Sequence, residues 1–255
     1  MTEPRSSKIY STCRKRISFA NRQISILFRR FLSLYNIYFV SLHAKIRTLT
    51  KELDCMKVAV VKYNAGNIFS VVHALERMGV EPILTDSAEE LRSADRVIFP
   101  GQGEASGAMH YLREHGLDRI IRSLTQPVLG ICIGQQLMCR HSEEGDVDCL
   151  GIFDADVKRF RPLCHEDKIP HMGWNSIQNH NVQNPKSALL EGVDGEFVYF
   201  VHSFYVPVCE HTTAVTEYIH PFSAAIQKDN FYATQFHPEK SGAVGQQILH
   251  NFLEL

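Results

Sequence analysis

A cysteine in the middle of the chain has the spacing of a nucleophile in a sharp turn. Cys132 directly follows the apolar run 127–131. Gly130 lies two residues before it and Gly134 two residues after it. A tight turn from strand to helix strains the nucleophile residue and leaves no room for flanking side chains, which favours glycine on both sides. Cys132 would lie at a helix N-terminus, whose partial positive charge favours a thiolate, and the N–H of Ile133 would point at a developing oxyanion. The pattern indicates covalent attack on a carbonyl carbon.

A base for this nucleophile is available near the C-terminus. His237 and Glu239 are two residues apart in a segment with the pattern of a strand, so their side chains are expected on one face. Pro238 between them cannot donate to a β-ladder and indicates a strand end, where a sheet opens to a site. His237 would carry the proton and Glu239 would fix the tautomer of the ring. Each residue alone also fits an exposed strand end, and Cys132 also fits a buried structural cysteine; the combination favours catalysis.

A glycine-rich loop follows the strand predicted at 96–100. Gly101 and Gly103 surround Gln102, and two glycines around one residue permit a backbone flip that could aim an N–H at an oxyanion. An ordinary loop after a strand fits these residues equally well. No Gly-Lys-Ser/Thr follows, so the loop is not a Walker phosphate-binding loop.

The elements that would carry these residues change character along the chain. Up to residue 131, buried-type strands alternate with helical spacing, which indicates a parallel sheet with covered faces. The early elements are predicted as strands at 57–63, 81–85, 96–100 and 127–131, with a helix at 67–78 and a helical stretch before 96. The later elements are predicted as strands at 197–206, 212–218, 223–227 and 231–236, before a closing helix at 243–252. The sequence predicts an α/β fold, an open and mostly parallel sheet flanked by helices with an antiparallel extension.

Charge divides the chain into two parts. Residues 1–55 hold 11 Lys and Arg against 3 Asp and Glu, although the whole chain has a net charge of −1. We predict a basic N-terminal extension of unknown role at 1–55, either a transit peptide, an amphipathic helix or translated upstream sequence with Met56 as the true start. Residues 56–255 are predicted to form one domain. The balanced total charge gives no reason to expect nucleic-acid binding, and the uncharged run 31–42 is too short to span a membrane.

The number and spacing of the cysteines indicate a compartment and argue against a metal site. There are 7 of them, an odd number, and none forms a Cys-x-x-Cys pair. They fit neither a disulfide framework nor a zinc site. A reducing, cytoplasmic location is therefore expected, with no metal and no cofactor.

Four segments of the chain resemble known glutaminases. Gly-x-Cys-x-Gly-x-Gln at 130–136 and His-Pro-Glu at 237–239 are similar to the class I, or triad, glutamine amidotransferases. The segments 170–175, 200–205 and 233–241 are similar to one branch of that class, the glutaminase subunits of imidazole glycerol phosphate synthases. The resemblance covers residues 56–255 and none of 1–55.

The resemblance implies a reaction and a set of site residues. Cys132 would attack the side-chain amide of glutamine, releasing ammonia and leaving a glutamyl thioester that water hydrolyses to glutamate. His237 and Glu239 would complete the triad. The remaining site positions implied by the motifs are Gly101, Gln102 and Ile133 for the oxyanion, and Gly103, Gln136, Ser203 and Phe204 for the substrate.

The resemblance also implies a protein partner. In that branch a (β/α)8-barrel cyclase docks over the glutaminase site, receives ammonia through a tunnel and makes imidazole glycerol phosphate. No room for a barrel of about 250 residues follows the glutaminase pattern, so the cyclase is expected as a separate chain in a heterodimer. Trp174 and Asn175 are the candidate interface residues, since aromatic residues are enriched at interface hot spots. The alternatives are the glutaminase of another synthase, of the anthranilate or GMP type, and a non-catalytic docking module of the same fold.

Overall fold

The fold combines short strands with helices in a regular order. The computed structural model describes residues 56–63, 68–101, 103–180 and 187–255, so the predicted extension at 1–55 and the loop residue Gln102 lie outside the described residues. In chain order the strands are β1 (Val58–Val61), β2 (Ile83–Thr85), β3 (Arg96–Phe99), β4 (Val128–Ile131), β5 (His141–Ser142), β6 (Val147–Asp148), β7 (Asp156–Arg159), β8 (His171–Ser176), β9 (Gln178–Asn179), β10 (Phe197–His202), β11 (Phe204–Tyr205), β12 (Thr212–Tyr218), β13 (His220–Lys228) and β14 (Phe231–Thr234). The α-helices are α1 (Ile68–Arg77), α2 (Ala88–Ser93), α3 (Ala105–Glu114), α4 (Leu117–Arg122), α5 (Ile133–Met138) and α6 (Gly242–Leu253).

One eight-stranded sheet has the order β2-β1-β3-β4-β14-β13-β12-β9. Every neighbouring pair from β2 to β14 is parallel, and every pair from β14 to β9 is antiparallel. The predicted mostly parallel sheet with an antiparallel extension is therefore confirmed. Because β3, β4 and β14 are adjacent and parallel, their carboxyl ends meet at one edge of the sheet. That edge receives Pro100 and Gly101, Cys132 and the segment 235–239.

The parallel half of the sheet is buried on both faces. All four residues of β1 and all four of β4 are buried, as expected for parallel strands covered by helices. Helix α1 turns Ile68, Val71 and Leu75 inward at helical spacing, and its predicted span of 67–78 differs from the observed one by about a residue at each end. Among the described residues, no helix is both long enough and apolar enough to cross a membrane.

The segment predicted as one strand at 197–206 is two strands, which corrects the prediction. Strand β10 pairs antiparallel with β8 in a two-stranded ribbon, whereas β11 pairs with β7 in a separate four-stranded sheet. The chain changes its hydrogen-bonding partner at Ser203, whose carbonyl accepts from the N–H of Phe160 at 3.0 Å. An unbroken run of strand-forming residues carries no signal for such an exchange, because each half keeps strand geometry.

An aromatic cluster packs the β8–β10 ribbon against the main sheet. Phe200 of β10 and Phe222 of β13 are fully buried, with ring centroids 5.6 Å apart in an edge-to-face arrangement. Two histidines are buried in the same cluster. His171 stacks on Tyr218 at 4.0 Å, and His202 packs edge-on against Phe222 at 5.1 Å. The ribbon is thus held by ring packing in which two titratable groups take part.

Burial keeps these two histidines neutral. Loss of hydration lowers the pKa of His171 to about 4 and the pKa of His202 to about 3. An unfolded chain returns both to the ordinary value near 6.5. Below that pH the unfolded state binds more protons than the folded state. The contribution of both residues to stability is complete above pH 6.5 and is lost as the pH falls towards 4.

We therefore predict that the protein loses stability between pH 6.5 and pH 5. Unfolding should take up as much as about one proton for each histidine. Each such proton lowers the free energy of unfolding by at most about 1.4 kcal/mol per pH unit. Urea unfolding midpoints at constant ionic strength measure this slope. His171→Phe, which keeps a stacked ring, should reduce the slope. A midpoint that does not change across this range would contradict the prediction.

Candidate active site

Cys132 occupies a strained backbone position between β4 and α5. Its φ of 54° and ψ of −107° lie in a region that residues with a Cβ rarely adopt. Hydrogen bonds hold it there: its N–H donates to the carbonyl of Thr234 at 2.7 Å, and its carbonyl accepts from the N–H of Gln135 at 3.0 Å. Such a conformation costs about 1–3 kcal/mol and persists only where neighbouring structure enforces it. The strained strand-to-helix turn is the geometry of a nucleophile elbow.

Close packing explains the two glycines of the elbow. A Cβ on Gly130 would lie 3.0 Å from the backbone of Gly134 and from Sδ of Met138. A Cβ on Gly134 would overlap the carbonyl oxygen of Phe99 at the end of β3. Helix α5 thus begins in contact with the backbone of two parallel strands. Only glycine permits this approach.

Most of the residues predicted for the site line one cavity. It has a volume of about 360 Å³. Its lining includes the predicted residues Gly103, Cys132, Ile133, Gln136, Ser203, Phe204 and His237. Glu239 lies behind His237, and Gly101 lies beneath Ile133; neither belongs to the lining. Trp174 and Asn175 lie elsewhere, on the ribbon.

His237 and Glu239 are paired, although not in the way the strand pattern suggested. The Nδ1 of His237 lies 2.8 Å from Oε1 of Glu239, and both side chains are almost completely buried. Strand β14 ends at Thr234, and Glu239 belongs to a 3-10 helix at Pro238–Lys240. The expectation of two residues alternating on a strand running through 236 is therefore wrong. Pro238 begins the short helix, whose turn brings the carboxylate back to the ring.

The electrostatics of this pair favour a protonated imidazole. Burial by itself lowers the pKa of His237, but the negative charge of Cys132, followed by the hydrogen bond and the charge of Glu239, raises the pKa to about 10. The Nδ1–H donates to Glu239. The other ring nitrogen, Nε2, is buried and has no hydrogen-bond partner among the described residues. Nε2 is therefore available to exchange a proton with Cys132, whose nearby charge raises the pKa of the ring.

The predicted oxyanion loop packs directly against the elbow. A Cβ on Gly101 would overlap Cγ2 of Ile133 and would lie 2.9 Å from the N–H of Gly134. The hydroxyl of Tyr63 donates to the carbonyl of Pro100 at 2.5 Å, which fixes the start of the loop. Burial, followed by the charge of Cys132, raises the pKa of Tyr63. Tyr63 therefore stays a hydroxyl donor; the apolar strand pattern around it contained no sign of this role.

Two further polar residues of the site were missed by sequence reasoning. Gln235 is fully buried, and its Nε2 lies 3.6 Å from Sγ of Cys132. Glu144 lines the cavity and accepts from the N–H of Ala105 at 3.0 Å, and burial is the main cause that raises its pKa. Gln235 carries a weak signal, a polar residue directly after a buried strand. Glu144 carries none, since acidic residues in a turn are usually solvated.

The two interface candidates lie on opposite faces of the ribbon. Trp174 is 56% exposed, next to the exposed Met172 on β8 and close to the exposed Phe197 on β10. Asn175 points the other way, where its Nδ2 donates to the carbonyl of Glu217 at 2.9 Å. Strand alternation therefore separates the pair, and only Trp174 is free to contact another protein. Among the described residues, no cluster of three His, Cys, Asp or Glu side chains is arranged to hold a metal ion.

The strain at Cys132 leads to a stability prediction. Cys132→Gly should unfold at higher urea concentration than Cys132→Ala, by about 1 kcal/mol, because glycine adopts a positive φ without a steric cost. The matched control is Ala243→Gly in α6, an exposed helical position where glycine should destabilise by about the same amount. Equal stabilities of the two Cys132 variants would mean that the backbone there is not strained.

Comparison with known proteins places this site in a family. The model of the class-I glutamine amidotransferases matches residues 59–255. Imidazole glycerol phosphate synthase subunit HisH of Bacteroides thetaiotaomicron is 67% identical over 201 residues, which cover 78% of this chain and 100% of that protein. The same subunit of Idiomarina loihiensis is 47% identical over 200 residues, covering 78% of this chain and 98% of the relative. A crystal structure of a glutamine amidotransferase superposes with a TM-score of 0.59 at 19% identity, covering 77% of this chain and 97% of that chain, and therefore shares the fold. The chain belongs to the class-I glutamine amidotransferase family.

Proposed function

We propose that Cys132, His237 and Glu239 are the catalytic triad with which this amidotransferase hydrolyses glutamine. The protein is a HisH-type subunit, the glutaminase of imidazole glycerol phosphate synthase in histidine biosynthesis. The observation that carries the triad is the meeting of a strained cysteine with a buried histidine in one cavity. A carboxylate 2.8 Å behind that histidine fixes the orientation of its ring.

The geometry supports a two-step mechanism. The thiolate of Cys132 attacks the amide carbon of glutamine, and the carbonyl oxygen becomes an oxyanion near the N–H of Ile133 and the peptide after Gly101. His237 then gives the proton on Nε2 to the amide nitrogen, which leaves as ammonia, and a thioester remains on the sulfur. Neutral His237 next takes a proton from water, whose oxygen attacks the thioester. The second intermediate expels the thiolate and releases glutamate, with His237 protonated again.

Hydrogen bonds already present leave specific groups for the substrate. Both N–H bonds of Gln136 are used, towards the carbonyl of Phe204 and Oε1 of Gln235, each at 3.0 Å. Its own carbonyl oxygen therefore remains to accept from the glutamine. Glu144 contributes a carboxylate to the cavity, which suits the α-ammonium group of the substrate. The backbone at Gly103, Ser203 and Phe204 also lines the cavity and would contact the amino-acid end.

The ribbon offers a docking surface for a partner. Met172, Trp174 and Phe197 are 64%, 56% and 57% exposed, and together they form an apolar patch at the edge of the ribbon. Exposed apolar groups of this kind mark interaction sites. We assign the patch to a separate (β/α)8-barrel cyclase that receives the ammonia, in a heterodimer, with Trp174 as an anchor. The relatives are likewise named as subunits of a synthase.

The free cysteines support a reducing compartment for the reaction. The nucleophile is a free cysteine, and the described cysteines Cys132, Cys139, Cys149, Cys164 and Cys209 are all unpaired. Free thiols persist where glutathione and thioredoxin keep them reduced. This supports a cytoplasmic location.

Removal of the nucleophile tests the proposal directly. Cys132→Ala should lower glutamate release from glutamine by at least about a thousandfold, because no other group in the cavity can form the thioester. The matched control is Cys164→Ala, an exposed free cysteine that should leave the rate unchanged. Activity of Cys132→Ala within tenfold of the wild type would exclude Cys132 as the nucleophile.

The partner's effect gives a second prediction. The isolated protein should be nearly inactive, and the ligand-bound cyclase should raise glutamate release, since glutamine hydrolysis without an acceptor wastes the ammonia. Gly101→Val should depress the activated rate by about 10²- to 10³-fold, the cost of one oxyanion donor, because a side chain there would overlap Ile133. Gly107→Ala in α3, where a Cβ makes only an ordinary contact, is the control. The same rate with and without the ligand-bound cyclase, at saturating glutamine, would contradict the proposed activation.

A further inference from the structure

A continuous set of hydrogen bonds runs from the ribbon to the substrate cavity. Asn175 on β8 lies with Nδ2 3.4 Å from Nε2 of His171. The Nδ1 of His171 lies 3.1 Å from Nε2 of His202, whose Nδ1 lies 2.7 Å from the carbonyl oxygen of Phe204. Both histidines are buried, and Asn175 and Phe204 are half-buried. The Phe204 carbonyl is therefore held from the ribbon side by two histidines in sequence.

The same carbonyl is held from the cavity side. Gln136 donates to it at 3.0 Å and also donates to Gln235 at 3.0 Å, whose amide reaches the sulfur of Cys132 at 3.6 Å. The carbonyl oxygen of Phe204 thus accepts hydrogen bonds both from Gln136, which is proposed to bind the substrate, and from His202 of the histidine pair. A shift of this oxygen would move Gln136, and with it the group that receives the substrate.

The direction of each hydrogen bond follows from the fixed acceptor at one end. A carbonyl can only accept, so the Nδ1 of His202 must carry a proton. A neutral ring with that proton has an acceptor at Nε2, so the Nδ1 of His171 must donate to it. The Nε2 of His171 is then an acceptor, matched to the amide N–H of Asn175. A second proton on either ring would place two donors face to face.

We infer that His171 and His202 are positioning residues that hold the Phe204 carbonyl in place for glutamine binding. They act as a neutral pair with a proton on each Nδ1, and they tie the wall of the cavity to the ribbon. The inference rests on the proposed function, because it takes the cavity as the glutamine site. His171 does not line the cavity and His202 lies in its wall; both are assigned to act through the Phe204 carbonyl and Gln136.

The surroundings of the pair keep it in this one arrangement. His171 lies between the rings of Tyr218, at 4.0 Å, and Phe200, at 4.8 Å, both nearly parallel to it. His202 packs against Phe222 and Phe160 at 5.1 and 5.4 Å. Packing of this kind prevents the rings from turning to other partners. Apolar residues would fill the same space, so the choice of two histidines points to the hydrogen bonds.

The first test reads the tautomers directly and does not depend on activity. Long-range ¹H–¹⁵N spectra of the full chain with ¹⁵N-labelled histidine, assigned with His171→Asn and His202→Asn, should show both rings neutral and protonated at Nδ1 at pH 7.5. An Nε2–H tautomer or a charged ring at either position would overturn the inference. Because this measurement needs no turnover, it separates failure of the inference from failure of the proposed function.

The second test uses glutamine kinetics in the complex with the cyclase. His171→Phe keeps the stacked ring but loses the donor, so the KM for glutamine should rise about 3- to 10-fold with a smaller change in kcat. His171→Asn keeps an N–H near the Nδ1 position and should restore KM to within about twofold of the wild type. The control Tyr218→Phe alters the same ring stack and loses only a bond to the Lys168 carbonyl, so KM should not change.

The outcomes discriminate between positioning and packing. The melting curve of each variant checks that it folds. Cys132→Ala is assayed in parallel, because residual activity of that variant would contradict the proposed function and not this inference. An unchanged KM in a folded His171→Phe would overturn the inference. So would equal KM values for His171→Phe and His171→Asn, because only His171→Asn keeps the N–H donor to which the inference assigns the effect. If His171→Phe does not fold, the tautomers decide the question.

Discussion

The approach of helix α5 to the backbone of β3 and β4 is the constraint on which the site depends. Gly134 leaves no space for a side chain against the carbonyl of Phe99, and Gly130 leaves none against Gly134. The helix can start so close to the sheet only if the residue between them adopts φ 54° and ψ −107°. That residue is Cys132. The strain is therefore a consequence of packing, and it places the sulfur above the sheet edge where β14 delivers the histidine.

The site holds buried histidines in opposite charge states within a short distance. His237 faces a carboxylate and a cysteine, and their negative charge outweighs the cost of burial, so the ring holds its proton. His171 and His202 face each other, a carbonyl and aromatic rings, and burial keeps them neutral. The difference comes from the neighbours and not from the depth of burial. Of these three rings, only His237 therefore holds a proton that the proposed mechanism can pass to the leaving ammonia.

The main sheet and the smaller sheets supply different parts of the proposed site. The parallel half of the main sheet carries the proposed nucleophile, oxyanion loop and triad histidine, because its strand ends coincide at one edge. The ribbon β8–β10 and strand β11 supply the opposite wall, where Ser203 and Phe204 face the cavity. The wall exists because the chain leaves β8 at His202 and joins β7 at Phe204. The exposed face of the ribbon carries Trp174, so the proposed partner surface and part of the proposed substrate wall, at Val201 and His202, belong to one element.

The sequence by itself determined the features that depend on local geometry. The glycine spacing around Cys132 predicted the turn, since a sharp strand-to-helix turn requires glycines at those positions, and strand and helix periodicity predicted the mostly parallel sheet. The short helix that pairs Glu239 with His237 was not predictable from strand alternation, because a proline-initiated turn replaced the strand. Only the tertiary structure decided where strand 197–206 divides, that Asn175 points inward, and that Gln235, Glu144 and Tyr63 converge on Cys132. These features depend on which distant segment supplies each hydrogen-bond partner, and the periodicity of a segment contains no information about a partner a hundred residues away.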